Sequence, residues 1–170
     1  QGQTPSPVEA DEAPGAAGTD ARVEKLIADG MQAMESRDGA VAQRALEQAR
    51  ALCLRGRVPA CTKHAFVLFT KLGQIYEGQM RWVDALKEYG RLQEKSFSGG
   101  LNDAQRTSVS SAIAQLEPRV GRVIIPKDIG GRCQEVRVWM PPGNHLVVSR
   151  GESQQVEVRA GQEVKVASCP

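Results

Sequence analysis

The sequence predicts an α+β protein: an N-terminal antiparallel helical-repeat module of about five helices, followed by a small antiparallel β-sandwich or open barrel. Three observations predict it. Between residues 20 and 116, apolar residues recur every three or four positions, the period of a buried helical face. After Glu117-Pro118-Arg119 the period drops to two, in five short Val-rich runs divided by Gly and Pro. The four cysteines divide two and two between these halves. The implied organisation is a disordered tether over 1–19, a helical module over 20–117 and a β module over 118–170.

Residues 1–19 are rich in Pro, Gly, Ala, Gln and acidic side chains and offer almost nothing to bury, so a disordered tether is expected. The chain starts without Met, a charged n-region or an apolar h-region, as a mature chain after signal-peptide removal or a trimmed one would, and Gln1 gives no support to a lipid anchor. Thr19 or Asp20 is suited to cap a first helix, whose apolar face is Val23, Leu26, Ile27, Met31 and Met34. Arg37-Asp38-Gly39 breaks it, and a second helix is expected from about Ala40 to Leu54.

The clearest stretch is Phe69–Leu92. Leu72, Gly73 and Tyr76 share one helical face, and Trp82, Ala85, Tyr89 and Leu92 form the face of a second helix. Gly73 and Ala85 are small where two helix backbones should come closest, with larger residues around them. These six positions, Leu72, Gly73, Tyr76, Trp82, Ala85 and Tyr89, are the expected packing residues of a helical hairpin. The helices are expected from Pro59 or Cys61 to Glu77 and from Arg81 to Glu94, with SFSGGLND as a break and a capping helix from Asn102 or Asp103 to Leu116.

This pattern resembles a tetratricopeptide repeat, a helix–turn–helix unit of roughly 34 residues. The first helix pair fits the same template, with Gly30 in the place of Gly73, Ala42 of Ala85, Leu46 of Tyr89 and Ala49 of Leu92. The step between the two glycines is 43 residues. The excess over the family's length falls around CLRGRVPAC, a loop made basic by Arg55, Arg57 and Lys63 that reads as solvated surface, or else as a contact for an acidic partner. Met80 stands where the family often has glycine between its helices.

In the C-terminal half, VGRVIIP, QEVRVWM, NHLVVSR, QQVEVRA and QEVKVAS read as strands with one apolar and one wet face. Val136, Val138 and Met140 face one way, and Arg137 and Trp139 the other. Pro142-Gly143, His145, Val147, Val148, Gly151 and the Val-rich pair ending at Gly161 resemble a PEGA-type module. That resemblance implies a bacterial envelope context.

Four cysteines allow three pairings, and Cys53–Cys61 with Cys133–Cys169 keeps each bridge within its module. Disulfides of this kind imply an oxidising compartment. Four buried thiols, or a zinc site with His64 or His145, are the alternatives, and close Cys or His pairs of the zinc kind are missing.

No nucleophile elbow, P-loop or acid–base spacing stands out, so the expected function is non-enzymatic, with no metal and no cofactor. Gly130-Gly131 reads as a β-turn and His145 as a turn-holding residue. A net charge of +2 without a strong basic cluster argues against nucleic acid, and no apolar run approaches the roughly 20 residues of a membrane span. The family resemblances imply a periplasmic or envelope scaffold that binds a protein or peptide partner through its repeats, with the β module assisting. Lys71, Gln74, Lys87 and Arg91 are the partner-binding candidates on the helices, and Arg137 and Trp139 those on the sheet. Trp139 is expected either to pack against the helical module or to stand exposed beside Arg137, where it would instead fit a carbohydrate or peptidoglycan reader.

Overall fold

A computed structural model describes residues 16–56, 58–167 and 169; the side chains of 16 and 17 are not described. It is α+β, with helices first and strands after, as the change of period requires. The expected tether falls mostly on residues 1–15, outside the described chain. The helical elements are α1 (Ala16–Glu35), α2 (Gly39–Arg55), α3 (Pro59–Gly78), α4 (Trp82–Arg91), α5 (Lys95–Ser98) and α6 (Asp103–Leu116), closed by a 3-10 turn over Glu117–Arg119.

Two element ends differ from expectation, each for a local reason. Helix α1 begins at Ala16, because Ala16 and Ala17 are strong helix formers ahead of Thr19 and Asp20. Asp20 therefore lies inside α1, and its carboxylate accepts a hydrogen bond at 2.8 Å from the backbone N–H of Ala60. It supplies the N-terminus of α3 with the acceptor that its own N-cap, Val58, lacks. The SFSGGLND break contains part of a helical turn, α5, held by Phe97, whose ring is buried edge-on against Phe69 at 4.9 Å. Asn102 caps α6 in a reciprocal box with Gln105.

The two hairpins α1–α2 and α3–α4 match position by position at the 43-residue step. A Cβ on Gly30 would meet the Leu46 side chain at 2.8 Å, and one on Gly73 would meet the Tyr89 ring at 2.6 Å. Arg37 and Met80, also 43 apart, turn each hairpin with φ of 59° and 57°. Met80 thus adopts the left-handed conformation that glycine usually supplies. Leu72, Tyr76, Ala85, Tyr89 and Gly73 are buried and Trp82 is half-buried, so the expected packing residues do pack. One core runs from Val23 of α1 through both hairpins to Val109 and Leu116 of α6.

The β module holds β1 (Gly121–Ile129), β2 (Arg132–Met140), β3 (Gly143–Ser149), β4 (Glu152–Val158) and β5 (Glu163–Lys165). Strands β2, β1 and β5 form one sheet and β3 and β4 another. The two pack face to face on Val123, Ile125, Val147, Val156 and Val158. Both hairpin pairs are antiparallel, but β5 runs parallel to β1, since the chain leaving β4 returns beside the start of β1, where Arg122 N–H donates to Gln162 O at 2.9 Å. Gly130 and Gly131 make the β1–β2 turn with positive φ at both positions. His145 Nε2 lies 2.8 Å from Pro141 O, bracing the turn before β3.

Candidate functional site

Helix α3 packs against three other helices, α1, α2 and α4. Its buried face is the row Ala65, Leu68, Phe69, Leu72 and Tyr76. Lys63, Val67, Lys71 and Gln74 recur at spacings of three and four and share a different face. Lys63 and Gln74 are exposed there, and Val67 and Lys71 half-buried. Lys71 Nζ donates to Gln74 at 3.2 Å, so these two predicted partner-binding residues sit side by side. At the α1 end of the face, Lys63 Nζ lies 3.0 Å and His64 Nε2 3.4 Å from the same oxygen of Glu24. Hydrogen bonds from Lys63 and His64 hold the Glu24 carboxyl below its ordinary range.

The other two helical candidates lie on α4, each beside an acidic side chain. Lys87 is exposed, 3.8 Å from Asp84. Arg91 is half-buried, its Nε 3.4 Å from Glu88, without hydrogen-bond geometry. It belongs to a polar seam between the hairpins that the sequence did not disclose. Glu88 is 2% exposed, and Arg50 Nη1 of α2 donates to it at 2.5 Å. The same Arg50 nitrogen reaches the Tyr76 hydroxyl at 3.3 Å, and that hydroxyl donates to Glu47 at 2.7 Å. The Tyr89 hydroxyl donates to Glu77 in a short hydrogen bond.

Burial sets most of the electrostatics of this seam. It pushes the Glu88 carboxyl above its ordinary range despite the adjacent Arg50 and Arg91. Burial and then the bond to Glu47 push the Tyr76 phenol up to about 12, and burial and then Glu77 raise Tyr89 as well. At Glu47 burial acts upward, but the donated bonds of Gln43 and Tyr76 and the charge of Arg50 outweigh it and hold the carboxyl low. The arrangement aligns two hairpins. A Glu inside the run Ala85–Leu92 is the only local sign of it, because its partner Arg50 is 38 residues away.

On the sheet, Arg137 is exposed and 3.8 Å from Glu163. Across β1, Lys165 and Glu135 pair at 2.6 Å, so charged side chains span the face over Ile124, which is 8% exposed. Trp139 does not stand free beside Arg137. It is half-buried against the helical core, and the Arg122 guanidinium lies over its ring at 4.2 Å. The alternation that put it opposite Val138 was correct; what lies on that side is the helical module.

All four cysteines are paired, Cys53 with Cys61 and Cys133 with Cys169. The first bridge ties the end of α2 to the start of α3 and borders an open hollow of about 670 Å³ with Val58, Pro59, Lys95 and Phe97. The second fastens the C-terminal end to β2. Two disulfides mark a protein exported to an oxidising compartment. No described helix is long and apolar enough to cross a membrane. Among the described residues no three His, Cys, Asp or Glu side chains gather as metal ligands would.

The fold and these surfaces define a two-module protein, a pair of equivalent helical hairpins with a capping helix and a small β module. Comparison of the chain with protein-family models, curated proteins and solved structures finds no match.

Proposed function

We propose that this protein is a non-enzymatic scaffold or adaptor of the periplasm or cell envelope, and that it binds a protein or peptide partner on its helical hairpins. The observation that carries this reading is the duplicated hairpin, with Lys63 and Gln74 exposed and Lys71 half-buried on one face of α3. Side-by-side hairpins of this kind present ordered helix faces to a partner segment. Their likeness to tetratricopeptide repeats, and that of the β module to PEGA-type modules, supports an envelope setting, as do the two disulfides. For the glycan reading, Trp139 offers a half-buried ring with the Arg122 guanidinium over it.

Affinity capture with the full chain from an envelope extract tests the proposal, using Lys71→Glu/Gln74→Glu as the control. The expected result is a discrete partner held by the wild type and lost by the variant. Equal recovery by both would remove α3 as the binding face, and no specific partner would remove the adaptor reading.

A further inference from the structure

The β3–β4 hairpin leaves one strand edge open. Strand β3 pairs with β4 and with no other strand. The turn between them is Arg150 and Gly151, both at positive φ, 52° and 84°. A two-residue turn of this hand closes on a hydrogen-bonded pair, here Ser149 and Glu152. Bonded and non-bonded pairs then alternate along the ladder, so Val147 and His145 also bond to β4. Asn144, Leu146 and Val148 take the positions between, and their backbone N–H and C=O groups point away from β4. No other backbone segment among the described residues reaches them. The side chains of the same three residues face solvent, with Leu146 71% and Val148 62% exposed.

Proteins commonly blunt open edges with charge, with Pro or by covering them. The other edges of this module follow that habit. On β4 the outward positions are Ser153, Gln155 and Glu157, and Glu157 is paired with Arg159 at 3.0 Å. Strand β5 carries Glu163 and Lys165, each facing an opposite charge. Strand β2 is fastened to Cys169 near one end and packs against α4. Strand β3 has no charged residue from Gly143 to Ser149.

We propose that β3 is a self-association edge, on which a second copy of this chain docks its own β3 antiparallel, across a two-fold axis at Leu146. In that register Leu146 faces its counterpart, and Asn144 of each copy faces Val148 of the other. Every free N–H on one edge meets a free C=O on the other. The aliphatic side chains gain cross-strand neighbours, and a neutral strand sets no like charges opposite one another. The two hairpins become one sheet in the order β4-β3-β3-β4. A two-fold contact of this kind closes on itself, and the charged β4 edges end the sheet. Seven residues give a contact at the small end of specific interfaces, so the dimer exchanges with monomer. It carries two α3 faces and would hold a repeated partner with avidity. That consequence rests on the adaptor reading, whereas the dimer rests on β3 alone.

Sedimentation of the full chain from about 10 μM to about 1 mM tests the proposal. The wild type is expected to shift from monomer to dimer across this range. Leu146→Lys places like charges opposite one another on the two-fold axis and should weaken association at least ~10-fold. Gln155→Lys, on the same sheet face one strand away, should leave it unchanged. A wild type that stays monomeric throughout would overturn the proposal, and so would a Leu146→Lys variant that associates as well as the wild type. If that variant fails to fold, amide hydrogen exchange of the wild type decides. Protection should rise with concentration at Asn144, Leu146 and Val148 and stay flat at Ser153, Gln155 and Glu157. The absence of that alternating rise would overturn the β3 edge even if a dimer forms.

Discussion

The two helical hairpins share a backbone plan and differ in what fills it. In the first, Leu46 rests on Gly30; in the second, Tyr89 rests on Gly73. Forty-three residues before Tyr76 stands Ala33. The first hairpin thus has the small-residue seat without the aromatic rings, and without the hydroxyls that bind Glu47 and Glu77 in the second. The second hairpin is the packing centre. The first is held to it by Arg50 and Glu88, by Asp20 capping α3, and by the Cys53–Cys61 bridge.

That dependence predicts a ranked set of effects. Arg50→Met leaves Glu88 buried beside Arg91 alone, and loss of one partner of such a pair should cost about 3 kcal/mol in urea unfolding. A cost below ~1 kcal/mol would mean that the seam is dispensable. Cys53→Ala/Cys61→Ala should cost roughly 2–3 kcal/mol from the short loop it closes, with hydrogen exchange rising first in α1 and α2. Gly73→Ala forces a methyl into the Tyr89 ring and should cost about 2 kcal/mol. Gly30→Ala, which meets the more yielding Leu46, should cost about 1 kcal/mol. Equal costs at the two glycines would break the comparison between the hairpins.

A further effect concerns pH and appears only in alkaline solution. The Tyr76 phenol is raised from 10 to about 12 in the folded protein, so its contribution is complete below pH 10 and is lost as pH rises through 12. Phenolate absorbance at 295 nm should therefore stay low until the alkaline unfolding transition. Both tyrosines of the chain lie in the seam and both are raised, so early ionisation of either would contradict the buried hydroxyl bonds.

Much of this plan was legible in the sequence, because it rests on local periodicity. Gly30, Ala42 and Leu46 could be aligned with Gly73, Ala85 and Tyr89 before any coordinates, and the strands followed from Val at every second position. What was hidden depends on long-range geometry. Asp20 looks like a cap for its own helix and instead caps one 40 residues away. Glu88 reads as a surface residue until Arg50 is brought to it. Trp139 shares a face with Arg137, but alternation cannot tell whether that face meets water or the helices. The parallel β1–β5 pair escaped because three residues carry no signal of direction. For the candidate site, helix faces alone could not assign Lys71, Gln74, Lys87 and Arg91; Lys71 and Gln74 lie side by side on α3, whereas Arg91 sits 3.4 Å from the buried Glu88.

The most direct test of the account is site-specific photo-cross-linking in intact cells. A cross-linker would replace Lys71 or Gln74 on α3 and, for contrast, Gln48, an exposed residue of α2 in the first hairpin. The account predicts one discrete adduct from positions 71 and 74 and none from 48. Adducts from 48 alone, or from none of the three, would contradict a partner seated on α3.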